Sequence, residues 1–364
     1  MESYVQLDQN LTVTELDESI PLTWYDVRQA PFEIYGLYRP ATEAVFRRIP
    51  AEVGRVTSEK VDKLGQECPG GRVRFSTDSP YIAIRARFRA VGRSSHMTMV
   101  STAGFDLYCD GEWGSRYIRE FRMPHDMHDR YAQIIHLPEG GLRAYTMHMP
   151  IHSVVEKLEI GLQPGAVLKP GAKYRPLAPM VIYGSSIVHG VAASRPGLCY
   201  TNILSRTLQV DHINMGFSGA AKGEMNLARY MAQLPMSVFV SDYDHNSPDP
   251  EALHCTHFAI YETVREKNGQ VPYIMVTRPN YWTAIEQRDA VLERRDVILE
   301  SYLRARQAGD RQVYLIDGMS FFADAHMYDY TVDHVHPNDA GFLRMAEVIG
   351  AMVRFALERL PSAI

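Results

Sequence analysis

From Ile82 onward, apolar Ile82, Ile84, Ala86 and Phe88 interleave with Arg85, Arg87 and Arg89. A period of two puts the apolar set on one face of a half-buried strand and the arginines on the other. Shorter runs of the same kind, Phe105 to Cys109, Tyr131 to Leu137, Tyr145 to Met149 and Val154 to Ile160, are separated by Gly, Pro and Asp turns. Up to about residue 165 the pattern therefore predicts an antiparallel β-sandwich of the jelly-roll kind.

The pattern changes after the Pro- and Gly-rich segment Gln163-Pro164-Gly165 through Lys169-Pro170-Gly171. Short apolar runs at Met180 to Tyr183, His212 to Met215, Ser237 to Val240, Tyr273 to Val276 and Val313 to Ile316 are each followed by a longer stretch with helical spacing. Phe342, Met345, Ala346, Ile349, Met352, Val353, Ala356 and Leu360 share one face of a terminal helix, with Asn338 or Asp339 available as its N-cap. Alternating strand and helix predict a three-layer α/β/α, flavodoxin-like domain with about five parallel strands, in which ligands bind beyond the carboxyl ends of the strands. The predicted division is a β-sandwich over residues 1–170 and an α/β domain over 171–364.

Composition narrows the functions. The formal net charge is −5 and the basic residues are scattered, which argues against nucleic acid as a partner. No apolar stretch approaches the roughly 18 residues that would suggest a membrane span. The first thirty residues carry Glu2, Asp8, Glu15, Asp17 and Glu18 with no basic start, which predicts a cytoplasmic protein, or a secreted one whose signal has been removed. Cys68, Cys109, Cys199 and Cys255 lie far apart without a C-x-x-C pair, a pattern of reduced thiols rather than a disulfide framework or zinc site.

Chemistry gathers at the predicted strand ends. Gly184-Ser185-Ser186-Ile187-Val188-His189-Gly190 is a small-residue turn that can present the Ser186 hydroxyl at the sheet edge, although either serine could simply cap the following helix. In Asn214-Met215-Gly216-Phe217-Ser218-Gly219, glycine backbone lets N–H groups approach a ligand, or serves an ordinary turn. Ser241-Asp242-Tyr243-Asp244-His245-Asn246-Ser247-Pro248 offers the Asn246 amide to a developing oxyanion, or an Asx turn before proline. Asp333-His334-Val335-His336 puts a carboxylate three residues ahead of an imidazole, able to fold back to its ring N–H. His254-Cys255-Thr256-His257 reads as a helix face rather than a metal site, since no second ligand cluster accompanies it.

The order Ser186, Gly219, Asn246, Asp333-x-x-His336 resembles the SGNH, or GDSL-like, hydrolases over about residues 178–360. Gly104-Phe105-Asp106-Leu107-Tyr108 is similar to the Gly-x-Asp-Leu-Tyr string of the amino-terminal domain in a bacterial subfamily. There are two departures: Ser185 stands where the Gly-Asp-Ser-Leu block has Asp, and His334 and Val335 stand where the subfamily often has small residues.

The resemblance implies a serine esterase with Ser186 as nucleophile, His336 as base and Asp333 orienting it. The oxyanion would be held by the Ser186 and Gly219 N–H groups and the Asn246 amide. It implies no cofactor and no metal, and a small-molecule or oligosaccharide ester as substrate, with acetyl the expected acyl group. Arg278, Tyr281 and Trp282, after the fourth strand, are candidates for binding the polar part of that substrate. A short-chain carboxylesterase, a lysophospholipase-type lipase and a catalytically silent carbohydrate-binding protein remain as alternatives, and a homo-oligomer is left open.

Overall fold

The alternating runs fold as strands. In the structure, a computed structural model that describes residues 13, 16–112, 114–138, 140–279 and 288–359, Ile82, Ile84, Ala86 and Phe88 are buried while Arg85, Arg87 and Arg89 face solvent. Their strand, Tyr81–Ala90, lies between Val154–Leu162 and Arg130–His136, with Thr23–Asp26 at the edge, in one antiparallel sheet. A second antiparallel sheet runs Leu168–Pro170, Arg72–Thr77, Arg143–His148, Phe105–Gly111, Gly114–Phe121, and Glu33–Tyr35 also pairs with Arg72–Thr77. Ile82, Ile84 and Ile160 from the first sheet meet Val73, Leu107 and Met147 from the second in a single apolar cluster, the packing expected of a sandwich.

The five strands of the other sheet are all parallel, in the order His212–Gly216, Met180–Gly184, Val238–Asp242, Tyr273–Val276, Val313–Ile316. This is the flavodoxin-like order, in which the first strand in the chain sits second in the sheet and its carboxyl end marks the switch point where ligands bind. Every residue of the two central strands is buried, so they read as continuous apolar runs rather than alternations. Ile182 and Val240 face the helices Tyr200–Leu208 and Asp339–Glu358; Val181, Tyr183 and Phe239 face Met225–Met231, Pro250–Lys267 and Arg288–Gln307. The three-layer α/β/α architecture follows from that two-sided burial.

Packing crosses the division expected at residues 170 and 171. Leu168–Pro170 is the last strand of the antiparallel part, yet Ile49, Val61 and Leu64 belong to the same core as Val181, Tyr183 and Phe217. They come from the short helices Ala51–Thr57 and Glu59–Gly65 and the residues just before them, the second helix capped by Ser58 Oγ accepting from the Val61 N–H at 3.1 Å. These helices interrupt the stretch that was expected to be β throughout. Each spans seven residues, too few turns to print a clear 3.6 period.

The Gly-x-Asp-Leu-Tyr string lies at this junction. Asp106 is fully buried; its Oδ2 accepts from Arg195 Nη1 at 2.8 Å and from the Gly197 N–H at 2.8 Å, and its Oδ1 accepts from His148 Nδ1 at 3.0 Å. Burial works against this carboxylate's charge, but His148 and Arg195 more than offset it and hold its pKa below the ordinary value. Arg195 also donates to the Tyr108 hydroxyl and lies over the Tyr117 ring, 3.9 Å from its centroid. Removing one partner of such a buried pair strands the other charge. Asp106→Ala is therefore expected to destabilise the fold by about 3–5 kcal/mol, read as a lowered urea midpoint.

Candidate active site

The first parallel strand ends at Gly184, where a Cβ would lie 2.1 Å from the Asp242 carbonyl oxygen, so only glycine lets the two strand ends approach. The next two serines divide the work that either could have done. Ser185 is the N-cap, its Oγ accepting from the Ile187 N–H at 3.2 Å. Ser186, the first helical residue, is thereby left with its hydroxyl directed at His336, whose Nε2 accepts from Ser186 Oγ at 2.8 Å.

His336 is held from behind. Its Nδ1 donates to Asp333 Oδ2 at 2.7 Å, and Asp333 Oδ1 accepts the His336 and Val335 backbone N–H groups at 2.7 and 3.0 Å. Partial burial pushes the Asp333 carboxyl up, but these hydrogen bonds outweigh it and keep the pKa below the usual value. An ionised Asp333 fixes the tautomer in which Nε2 is free to take a proton. His334 adopts φ +64°, a left-handed conformation that favours glycine, which is the backbone reason small residues suit this position.

Ser186, His336, Gly219 and Asn246 line one cleft of about 870 Å³ at the carboxyl edge of the parallel sheet. Asn246 ends a single turn of 3-10 helix, Asp244–Asn246, and its Nδ2 donates to the Phe217 carbonyl at 3.0 Å, tying the third strand's loop to the second's. Gly219 has φ +61°, and Lys60 Nζ donates to its carbonyl at 3.2 Å. His245 lines the same cleft; burial, with the nearby Arg278 charge, holds its pKa well below the ordinary value and the ring neutral.

Two sequence families account for most of the chain: the GDSL-like lipase/acylhydrolase family matches residues 178–354, and the GxDLY amino-terminal domain of SGNH-hydrolase-type esterases matches residues 22–168. The α/β part of the chain, residues 178–354, is of the GDSL-like lipase/acylhydrolase family. No curated protein matches it. Among solved structures it is similar to a protein named as a GDSL-like lipase from Bacteroides ovatus, at 24% identity and TM-score 0.83 over 93% of this chain and 98% of that one. A salicylyl-acyltransferase from a tetracycline biosynthetic pathway is similar at 19% identity and TM-score 0.73, over 93% and 98% of the two chains. A family two carbohydrate esterase from Clostridium thermocellum, solved with cellohexaose, is similar at 14% identity and TM-score 0.58, over 80% and 94%. At these identities the likeness is one of fold.

The other sequence candidates of this esterase fall differently. Tyr281 and Trp282 lie outside the described residues. Arg278 is buried and does not line the cleft; its backbone N–H donates to Asp244 Oδ2 at 3.1 Å. Of the His254 to His257 string, His254 is exposed beside Glu300, while His257 is buried and stacked on Tyr243, so the two imidazoles do not converge.

Sequence reasoning missed Glu67, His152 and His189. Glu67 Oε2 accepts from His152 Nδ1 at 2.9 Å and lies 3.0 Å from His189 Nε2. Their potential metal-ligating atoms fall within 4.8 Å of one another. The Ser218 N–H, however, points to His189 Nδ1 at 3.4 Å, which leaves Nε2 as the donor to Glu67 and to the Ile151 carbonyl at 3.1 Å. The cluster is thus satisfied as a hydrogen-bond relay from the sandwich domain to the loop that carries Gly219. Only His189, inside a recognisable motif, carried any signal; Glu67 and His152 are distant in sequence and meet only through the fold.

Burial works to raise the Glu67 pKa, but the bonds from His152 and His189 override it and hold it at about 2, below its ordinary 4.5. A depressed carboxylate contributes stability that is complete above about pH 4.5 and is lost as pH falls toward about 2. Glu67→Gln is expected to flatten that acid loss, measured as urea midpoints between about pH 5 and about pH 3. Parallel curves for the two proteins would remove Glu67 from this role.

Proposed function

We propose that this chain hydrolyses short-acyl esters, acetyl above all, on a carbohydrate or similarly polar acceptor, through a Ser186–His336–Asp333 triad. The observation that carries the reading is the continuous hydrogen-bonded line from Ser186 Oγ through His336 to Asp333, at 2.8 and 2.7 Å, opening into the cleft. The carbohydrate esterase among its structural relatives supports the choice of acceptor.

His336 Nε2 takes the Ser186 proton as Oγ attacks the ester carbonyl. The tetrahedral oxyanion is held by the Ser186 and Gly219 N–H groups and by the Asn246 amide, which has a second N–H beyond the one given to Phe217. His336 then returns the proton to the departing alcohol oxygen. Water, deprotonated by the same nitrogen, attacks the acyl-serine, and His336 returns that proton to Ser186 Oγ as the acid departs. The intact line of donors and acceptors disfavours a silent binding protein, since burial and folding do not demand it.

The test is hydrolysis of 4-nitrophenyl acetate, butyrate and octanoate by the wild type beside Ser186→Ala, with circular dichroism to confirm folding. Acetate is expected to be the best substrate and the folded variant to be inactive; a preference for octanoate would mark a lipase instead. Asn246→Ala is expected to lose about 10²- to 10³-fold in kcat, and full activity in that variant would remove Asn246 from the oxyanion hole.

A further inference from the structure

The cleft has a charge pattern that ester hydrolysis does not itself require. The chain as a whole is acidic, with a formal net charge of −5. Yet among the described residues the charged lining of the cleft, histidines aside, is Lys60, Lys63, Arg89 and Arg93 against the lone carboxylate of Glu67. That carboxylate already accepts from His152 and faces His189 Nε2, so little of its charge is left for the cations.

The cations are themselves little neutralised. Lys60 donates to the Gly219 carbonyl, which stations its ammonium beside the predicted oxyanion loop. Arg93 donates to the His125 and Met127 carbonyls at 3.3 and 2.7 Å, neither of which cancels its charge. Among the described residues no carboxylate lies within ion-pair distance of Lys60, Lys63 or Arg93; Arg89 reaches Glu156 at 3.5 Å but shares it with Arg87, which is nearer at 3.1 Å. All four cations belong to the amino-terminal part of the chain, whereas Ser186 and His336 belong to the α/β part. Segments from early in the chain thus add a local positive field beside Ser186 and His336. A cleft lined by one sign of charge concentrates a ligand of the opposite sign.

We infer that the alcohol half of the ester carries an anionic group, a carboxylate or a phosphate on the sugar, which Lys60, Lys63, Arg89 and Arg93 receive at the cleft wall. This rests on the esterase reading: an acetyl group has no room for a charge, so the charge lies on the acceptor. Lysine suits either anion as a point charge, and arginine either one as a planar fork.

The experiment compares kcat/KM for O-acetylated glucose, O-acetylated glucuronic acid and O-acetylated glucose phosphate, each with wild type and Ser186→Ala. The wild type is expected to favour at least one acidic ester over the neutral one by about tenfold or more at low ionic strength. That ratio is expected to shrink toward one near 1 M salt, where the screening length is about 3 Å. Whichever acidic ester is preferred identifies the anion. Lys63 is exposed enough at the surface of its short helix that Lys63→Gln and Lys63→Glu should fold; the ratio is expected to fall in the first and further in the second. Equal Ser186-dependent rates on neutral and acidic esters overturn the anionic acceptor and leave the esterase standing. Absence of Ser186-dependent hydrolysis of any ester, 4-nitrophenyl acetate included, overturns both.

Discussion

The rest of the structure hangs on a carboxylate placed where a charge is costly. Asp106 has no solvent exposure, and it is tolerable there only because Arg195, the Gly197 N–H and His148 converge on it. What it holds is the segment that follows the short helix Ser186–His189. Ser194, next to Arg195, directs its N–H and hydroxyl to Asp339 at 2.8 and 2.5 Å, and the Ala192 N–H donates to the Pro337 carbonyl at 3.0 Å. Pro337 follows His336. The path from Asp106 to His336 is therefore a short series of hydrogen bonds and chain neighbours, and the string Gly-x-Asp-Leu-Tyr marks the structural clamp at its start.

Buried arginines repeat the device elsewhere along the junction. Arg48 is 1% exposed and donates to the carbonyls of Leu64, Asn214 and Gly216 at 2.8, 2.9 and 2.7 Å. Burial, only partly offset by Glu67 and Cys68, brings its pKa down to about 10, which still leaves it charged at neutral pH. Its guanidinium lies 4.6 Å from the Phe217 ring centroid, on the strand end that leads to Gly219. Arg72, also fully buried, pairs with Asp211 at the start of the same parallel strand. The planar donor forks of these arginines meet carbonyls and a carboxylate along the parallel strand that leads to Gly219, tying the antiparallel part to the α/β sheet.

Periodicity makes the long elements legible in the sequence. Tyr81–Ala90 and Asp339–Glu358 are read directly from one-sided apolar patterns, and the parallel strands from short runs buried on both faces. The terminal cap resolves to Asn338, whose Oδ1 accepts from the Gly341 N–H, because Asp339 is committed to Ser194. Arg72–Thr77 escapes such a reading for the opposite reason. Its alternation is Arg-Val-Arg-Phe, which suggests an exposed polar face, but Arg72 and Arg74 are buried in the domain junction. Likewise the hydrogen-bonded line of Ser186, His336 and Asp333 is legible because Asp333 and His336 share a loop and Ser186 stands at a strand end. Glu67 and His152 are not, since nothing local distinguishes a carboxylate that will meet a distant imidazole.

The departure at Ser185 shows how a changed motif keeps its geometry. The residue before Ser186 has one local task here: its side chain caps the Ile187 N–H at the start of a helix only four residues long. Serine and aspartate perform that task about equally, since both offer an oxygen at the right reach from extended backbone. Ser185 is also fully buried, and its backbone N–H donates to the carbonyl of Asp242, whose side-chain pKa burial and the Asp244 charge drive well above the ordinary value. A second carboxylate at 185 would enter a site that already penalises negative charge, whereas the hydroxyl makes the same cap without one. The constraint on this position is thus the hydrogen bond rather than the charge, and serine meets it while leaving the Ser186 hydroxyl to His336.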